Sequence, residues 1–139
     1  MKQEDKDLLL RDLCARLPYG VKVESVFINP DTKEHKSCGI EVFNAISLWM
    51  IRGGLGEFKP YLFPLSSMTE EQKEEYNQSR LKDLRMLNSV LMERISDENN
   101  FDRLVVAHNE IDWLNKNHFD YRGLIPMGLA NDATGLNIY

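Results

Sequence analysis

The chain contains 139 residues, of which 42% are hydrophobic and 28% charged, and 17 basic against 22 acidic side chains give it a net charge of −5. This composition is typical of one globular domain, and it excludes a disordered chain and a chain with separate catalytic and regulatory domains. The acidic balance argues against non-specific nucleic-acid binding, and no apolar run reaches the length of a membrane span.

The first predicted element is an amphipathic helix over residues 5–17, which Pro18 and Gly20 end. Its apolar side chains recur at helical spacing and are expected to share one buried face. Those side chains are Leu9, Leu10, Leu13, Cys14 and Leu17. The chain has two cysteines, Cys14 and Cys38, too far apart for a CxxC pair, and we predict that both are reduced and buried.

A β-hairpin is predicted next. Its first strand begins at Val21, its turn lies over residues 29–32, and its second strand lies over residues 37–43, because β-branched and aromatic residues flank a run of turn formers. The nearly continuous apolar run AISLWMI over residues 45–51 predicts a buried central strand.

The glycine-rich segment over residues 53–56 predicts a turn after that run. A fourth short strand is predicted over residues 58–63. Pro60 and Pro64 restrict it to a sheet edge or to an irregular extended segment, since proline cannot donate a hydrogen bond to a neighbouring strand.

Two helices and a tail complete the predicted order. Thr69 and Gln72 have the spacing of a capping box, which predicts a helix that continues to Ile95. A second helix is expected over residues 101–117. The remaining residues, 118–139, are too rich in Gly, Asn and Pro for a regular element and too apolar to extend into solvent, so we expect them to lie across the domain surface.

Three blocks of the chain resemble a family of short proteins from gut-anaerobe genomes and prophage-like mobile elements. They are DLLLRDLCARLPYGVKV at 7–23, FKPYLFPLSSMTEEQK at 58–73 and HFDYRGLIPMGLA at 118–130, about a third of the chain. The family carries no assigned activity, so the resemblance transfers no site residue. It implies a small cytoplasmic accessory protein of phage origin.

The histidines and carboxylates offer one metal-site alternative. His118 and Asp120 form the H-x-D pair that some metal-dependent enzymes use for two of their ligands, with His108 as the third candidate. The alternative of a small metal-dependent enzyme therefore stays open. His108 also fits the apolar stripe of its helix, which favours a structural role, and His35 beside the turn is expected to be exposed.

The aromatic residues favour binding instead of catalysis. Aromatic side chains near arginine are typical anchors of protein interfaces. Tyr61 and Phe63 lie in the proline-flanked segment and Tyr121 and Arg122 lie in the tail, so these four are the predicted partner-binding residues. If Trp49 and Tyr61 both pointed outward, they could stack single-stranded nucleic acid, which is a further alternative.

The predicted fold is α+β: an N-terminal helix, a small bent antiparallel sheet of about four strands that can close as an SH3-like barrel, two C-terminal helices and an extended tail. We expect a single domain over 1–139, with a helix-plus-sheet part at 1–65 and a helical part with the tail at 66–139. No Gly-rich phosphate loop or nucleophile motif is present. The predicted function is a non-enzymatic, cytoplasmic protein-interaction module of a prophage or mobile element, with a protein partner and without a catalytic residue, cofactor or membrane contact.

Overall fold

The computed structural model describes residues 1–79 and 110–139, and these form an α+β fold. Two helices lie wholly within the described residues: α1 (Gln3–Arg16) and α2 (Ala45–Arg52). The chain is also helical over residues 70–79 and 110–116. Among the described residues, no helix combines the length and the apolar content that crossing a membrane requires. The predicted helical stretches between residues 79 and 110 lie outside the described residues.

Over the described parts of the chain, five strands form the sheet, numbered β1 to β5 in chain order. Their bounds are Lys22–Ile28, His35–Val42, Gly56–Pro64, Phe119–Asp120 and Asn131–Asp132. β1 pairs antiparallel with β2 and with β3, whereas β4 and β5 run parallel to β3. The sheet is therefore mixed, and the prediction of a purely antiparallel sheet is wrong. β2 lies at an edge, so the described strands form an open sheet and do not close as a barrel.

The local predictions at the start of the chain are confirmed in part. α1 ends in a short 3-10 helix, Leu17–Tyr19, and Gly20 follows with a left-handed φ of 66° that suits glycine. The predicted hairpin is present as β1 and β2. Both cysteines are exposed and unpaired, so the prediction that Cys14 and Cys38 are buried is wrong.

The segment predicted as a buried central strand is helix α2. Asn44 caps it: its Oδ1 accepts from the backbone N–H groups of Ile46 and Ser47, at 2.9 and 3.2 Å. Ser47 completes the reciprocal pair of hydrogen bonds, because its hydroxyl accepts from the Asn44 N–H at 3.2 Å. This capping box satisfies the donors at the first turn and favours a helix over a strand.

The strand predicted at a sheet edge occupies the middle of the sheet. β3 pairs with β1 along Gly56–Pro60 and then with β5 and β4 from Tyr61 onward. Pro60 is tolerated opposite Val23 of β1 because its nitrogen faces the other edge of β3, where pairing with β5 begins at Tyr61. The capping box predicted at Thr69 is confirmed, since Gln72 Oε1 accepts from the Thr69 N–H at 3.0 Å and Thr69 Oγ accepts from the Gln72 N–H at 3.2 Å.

The core lies on the face of the sheet that α1 and α2 cover. The alternation along β1 and β3 turns Val23, Phe58 and Leu62 toward it. The tail belongs to this core, because five of its apolar residues are buried and two short strands join it to β3. The prediction that it lies across the surface is wrong. The buried apolar tail residues are Phe119, Leu124, Leu129, Ala130 and Ala133.

Candidate functional site

A buried ionic cluster joins α1 to the tail. Asp12 and Arg16 are one helical turn apart, and both side chains are fully buried. The Arg16 Nε donates to Asp12 Oδ2 at 2.8 Å, and the Arg122 Nε lies 3.2 Å from Asp12 Oδ1 as an ion pair. Two guanidinium groups thus share one carboxylate, so the three side chains together carry one excess positive charge.

Tyr121 lies close to both guanidinium groups of this cluster. Their carbon atoms are 5.2 Å (Arg16) and 5.1 Å (Arg122) from the centre of its ring, within the range of a cation–π contact. Its hydroxyl donates to the Asn115 Oδ1 at 2.9 Å and accepts from Arg122 Nη2 at 3.2 Å. Arg16 also donates through Nη2 to the Phe119 carbonyl at 2.6 Å. The predicted binding residues Tyr121 and Arg122 are therefore brought together, and each has partners inside the protein.

Tyr61 and Phe63 lie at the far end of β3, beside the last residue of the chain. The Phe63 ring packs against Phe119 and Tyr139, with centres 6.1 and 5.7 Å apart. The Tyr139 hydroxyl donates to the Tyr61 carbonyl at 2.7 Å and accepts from the Lys22 N–H at 2.9 Å. Burial of this hydroxyl raises the pKa of Tyr139 to about 12. Tyr61 and Phe63 are half-buried, and both contact residues of the tail at this end of the sheet.

His118 lies in the same aromatic layer. Its ring stacks on Tyr139 with centres 3.8 Å apart and planes 13° from parallel. Burial lowers the pKa of His118 from 6.5 to about 4, and the positive charges of Arg16 and Lys22 add smaller contributions in the same direction. His118 is therefore a neutral ring at physiological pH, positioned by stacking.

Asp120 has a structural role that the sequence did not indicate. Its two carboxylate oxygens accept from the N–H groups of Leu124 and Ile125, at 2.8 and 2.9 Å, and so fix the turn that follows β4. His108, the third candidate metal ligand, lies outside the described residues. Over residues 1–79 and 110–139, no three His, Cys, Asp or Glu side chains are placed to hold a metal ion together.

The outer face of α2 is an exposed apolar surface. Ile46 and Trp49, one turn apart, are 69% and 66% exposed. The opposite side of the helix carries Leu48, Met50 and Ile51, which pack against the core. The buried strand predicted over residues 45–51 would not expose Trp49 in this way, whereas helix α2 does.

Comparison of the chain with protein-family models, with curated proteins and with solved structures found no match. The resemblance to proteins of prophage-like elements therefore stays a prediction. A functional conclusion has to rest on the chain's own surfaces. Of these, the α2 face is exposed, whereas the predicted binding residues Tyr61, Phe63, Tyr121 and Arg122 make contacts within the fold.

Proposed function

We propose that this protein is a non-enzymatic interaction module that binds a partner protein through the outer face of α2. The observation that carries the proposal is the exposure of Ile46 and Trp49 on one side of that helix. A tryptophan that buries its ring on binding contributes a large apolar area with few rotatable bonds, which makes it a frequent anchor of protein interfaces.

The chemistry of the partner is indicated by the next residue on the same face. Arg52 lies one turn beyond Trp49, is exposed, and has no ion pair with any described residue. Tryptophan and arginine together are the side chains most enriched at the centres of interfaces. The proposed partner therefore presents an apolar pocket for Trp49 beside an acidic group for Arg52.

The two exposed thiols support a cytoplasmic setting for this module. Cys14 and Cys38 are unpaired, and free surface thiols persist in a reducing compartment. The alternative of a nucleic-acid platform has less support, because Trp49 lies on a helix whereas Tyr61 is half-buried on β3.

The proposal is tested by affinity capture of the tagged protein from lysate of its host cell, with and without nuclease. We expect one near-stoichiometric protein to survive nuclease treatment and to be retained at least tenfold less by Trp49→Ala. Because Trp49 is exposed, the variant should keep the thermal transition of the parent protein.

Leu65→Ala is the matched control, since Leu65 is exposed but lies outside α2. This variant should retain the partner. Equal retention by Trp49→Ala and the parent protein would refute the α2 surface, and loss of every partner on nuclease treatment would favour nucleic-acid binding instead.

A further inference from the structure

Strand β2, His35–Val42, forms the outer edge of the sheet. It pairs with β1 on one side, and among the described residues no strand pairs with its other side. All eight of its residues are exposed, and the apolar side chains of Ile40 and Val42 are 49% and 46% exposed. A long, exposed edge presents unpaired backbone donors and acceptors to any further strand that reaches it. This free side of His35–Val42, the β2 edge, is therefore open to pairing.

Two hydrogen bonds show which residues of β2 direct their backbone groups away from β1. The Phe43 N–H donates to the Val21 carbonyl at 2.9 Å, and the Glu34 carbonyl accepts from the Asn29 N–H at 2.9 Å. Successive residues of an antiparallel strand direct their backbone groups alternately to one neighbour and to the other. Counting back from Phe43 and forward from Glu34 gives four outward residues. They are His35, Ser37, Ile40 and Val42.

A β-bulge sets the spacing of these four outward residues. The register with β1 places Ser37 opposite Val26 and Gly39 opposite Ser25. Cys38, between them, has no residue of β1 opposite it and is the extra residue of the bulge. The outward residues are therefore two positions apart on each side of the bulge and three positions apart across it.

This spacing allows one complete pairing of the β2 edge with a second copy of itself. Around a two-fold axis the two edges run antiparallel, so the sequence numbers of facing residues have a constant sum. One register pairs all four outward residues, joining His35 to Val42 and Ser37 to Ile40 of the second copy. Because the bulge interrupts the two-residue spacing, every other register leaves at least two of the four opposite no outward residue.

The charges on β2 fit the same register. Lys36 lies opposite Phe27 of β1, and Glu41 lies opposite Val23. Phe27 and Val23 are four residues apart on a regular strand, so the side chains opposite them share one face of the sheet. Both charged residues are exposed, and neither forms an ion pair with a described residue. The two-fold register places Lys36 of each copy opposite Glu41 of the other, which gives two complementary pairs.

Shifted registers bring like charges together instead. Pairing His35 with Ser37 of the second copy would place Lys36 opposite Lys36. Pairing Ile40 with Val42 of the second copy would place Glu41 opposite Glu41. Like charges directly opposite each other destabilise an antiparallel pair. The bulge and the charges therefore select the same register, and a second copy of this chain is the occupant that satisfies both.

We infer that the protein forms a homodimer in which the β2 edges of two copies pair antiparallel around a two-fold axis, with His35 opposite Val42 and Lys36 opposite Glu41. The two five-stranded sheets would join into one continuous sheet, and the assembly closes at two copies because each edge is used once. The Val42 carbonyl accepts from the Asn44 side chain at 3.3 Å and keeps a second lone pair for the added strand. This inference does not depend on the α2 surface.

Sedimentation velocity of the full chain, over protein concentrations from about 1 μM to about 1 mM, tests the dimer. We expect the mass to rise with concentration from 16.2 kDa towards twice that value and no further. Hydrogen exchange at the upper concentration should slow at the outward amides of Ser37 and Ile40. It should stay unchanged at the amides of Lys36 and Glu41, which face β1 in both states.

Exchanging charges tests the register. Lys36→Glu and Glu41→Lys should each raise the dissociation constant at least about tenfold, since each places two like-charge pairs across the axis. The two variants shift the net charge in opposite directions, so general repulsion between chains cannot explain both. The double variant restores opposite charges and should return to within about threefold of the parent protein. Lys116→Glu, exposed and far along the chain from β2, is the matched control and should stay within about twofold.

Thermal transitions of the variants identify any loss of fold, and Glu41→Lys keeps the test valid if Lys36→Glu unfolds. Both substituted side chains are exposed, so we expect the transitions of the monomers to be unchanged. A monomer at every concentration would overturn the inference, as would a dimer that tolerates both single charge variants or a double variant that does not recover. A dimer that dissociates only with Trp49→Ala would place the interface on α2 instead.

Discussion

At the scale of single residues, His118 makes the fold sensitive to pH. Its pKa is lowered from 6.5 to about 4, first by burial and then by Arg16 and Lys22. The unfolded chain therefore takes up a proton near pH 6.5 that the folded chain does not accept until about pH 4. The free energy of unfolding should be highest above pH 6.5, fall as the pH drops through this window, and level off below it. We expect a loss of about 2 kcal/mol between pH 7 and pH 4, since solvent partly screens this half-buried ring.

Urea denaturation at a series of pH values measures that loss, and His118→Asn isolates its source. His118 has a left-handed φ of 62°, which asparagine also tolerates, so the variant removes the titrating ring without forcing the backbone. The difference in unfolding free energy between the two proteins should change across the window. Parallel pH profiles would show that another group is responsible.

Asp12 is the residue on which the ionic cluster depends. Asp12→Asn leaves the guanidinium groups of Arg16 and Arg122 without their shared negative charge, and Arg16 is fully buried. The expected cost is about 3 kcal/mol of unfolding free energy, because an uncompensated buried charge is strongly destabilising. Asp7→Asn on the exposed side of the same helix should change stability by less than about 0.5 kcal/mol. Chemical denaturation of both variants checks this, and equal effects would contradict a structural role for the cluster.

At the scale of elements, the sequence predicts correctly those structures that depend on residues close together in the chain. The hairpin of β1 and β2 and the capping box at Thr69 follow from residues close in sequence, and both are confirmed. α2 was missed because an unbroken apolar run has no periodicity that separates a buried strand from a helix. The signal that could have decided it was present, since Asn44 and Ser47 have the spacing of a cap.

The same cap gives a prediction for α2. Asn44→Ala removes the acceptor of two backbone N–H groups at the start of the helix and should lower the unfolding free energy by about 1 kcal/mol. Asn77→Ala, at an exposed position in the helical residues 70–79, should have an effect below about 0.5 kcal/mol. Thermal denaturation with circular dichroism compares the two. If Asn44→Ala matched the Asn77 control, capping would not be what favours helix over strand here.

At the scale of the whole molecule, the sequence could not show how distant segments meet. β4 and β5 are two residues each, too short for a recognisable pattern, and they exist because they pair with β3 more than fifty residues earlier in the chain. The ionic cluster has the same origin, because Arg16 and Phe119 are 103 positions apart. The composition of residues 118–139 therefore predicts a segment on the surface, whereas in the fold these residues form part of the core.

A substitution in the tail tests most directly whether the tail is part of the core. Ala133 is buried, and its N–H donates to the Leu62 carbonyl of β3 at 2.8 Å. Ala133→Asp would place an unpaired carboxylate against the core and should cost more than about 3 kcal/mol. Leu136→Asp, three residues on and exposed, should cost less than about 0.5 kcal/mol. A tail that merely covers the surface would tolerate both changes equally in urea denaturation. A tail that completes the sheet would be destabilised only by the first change, because Ala133 is buried against β3 whereas Leu136 is exposed.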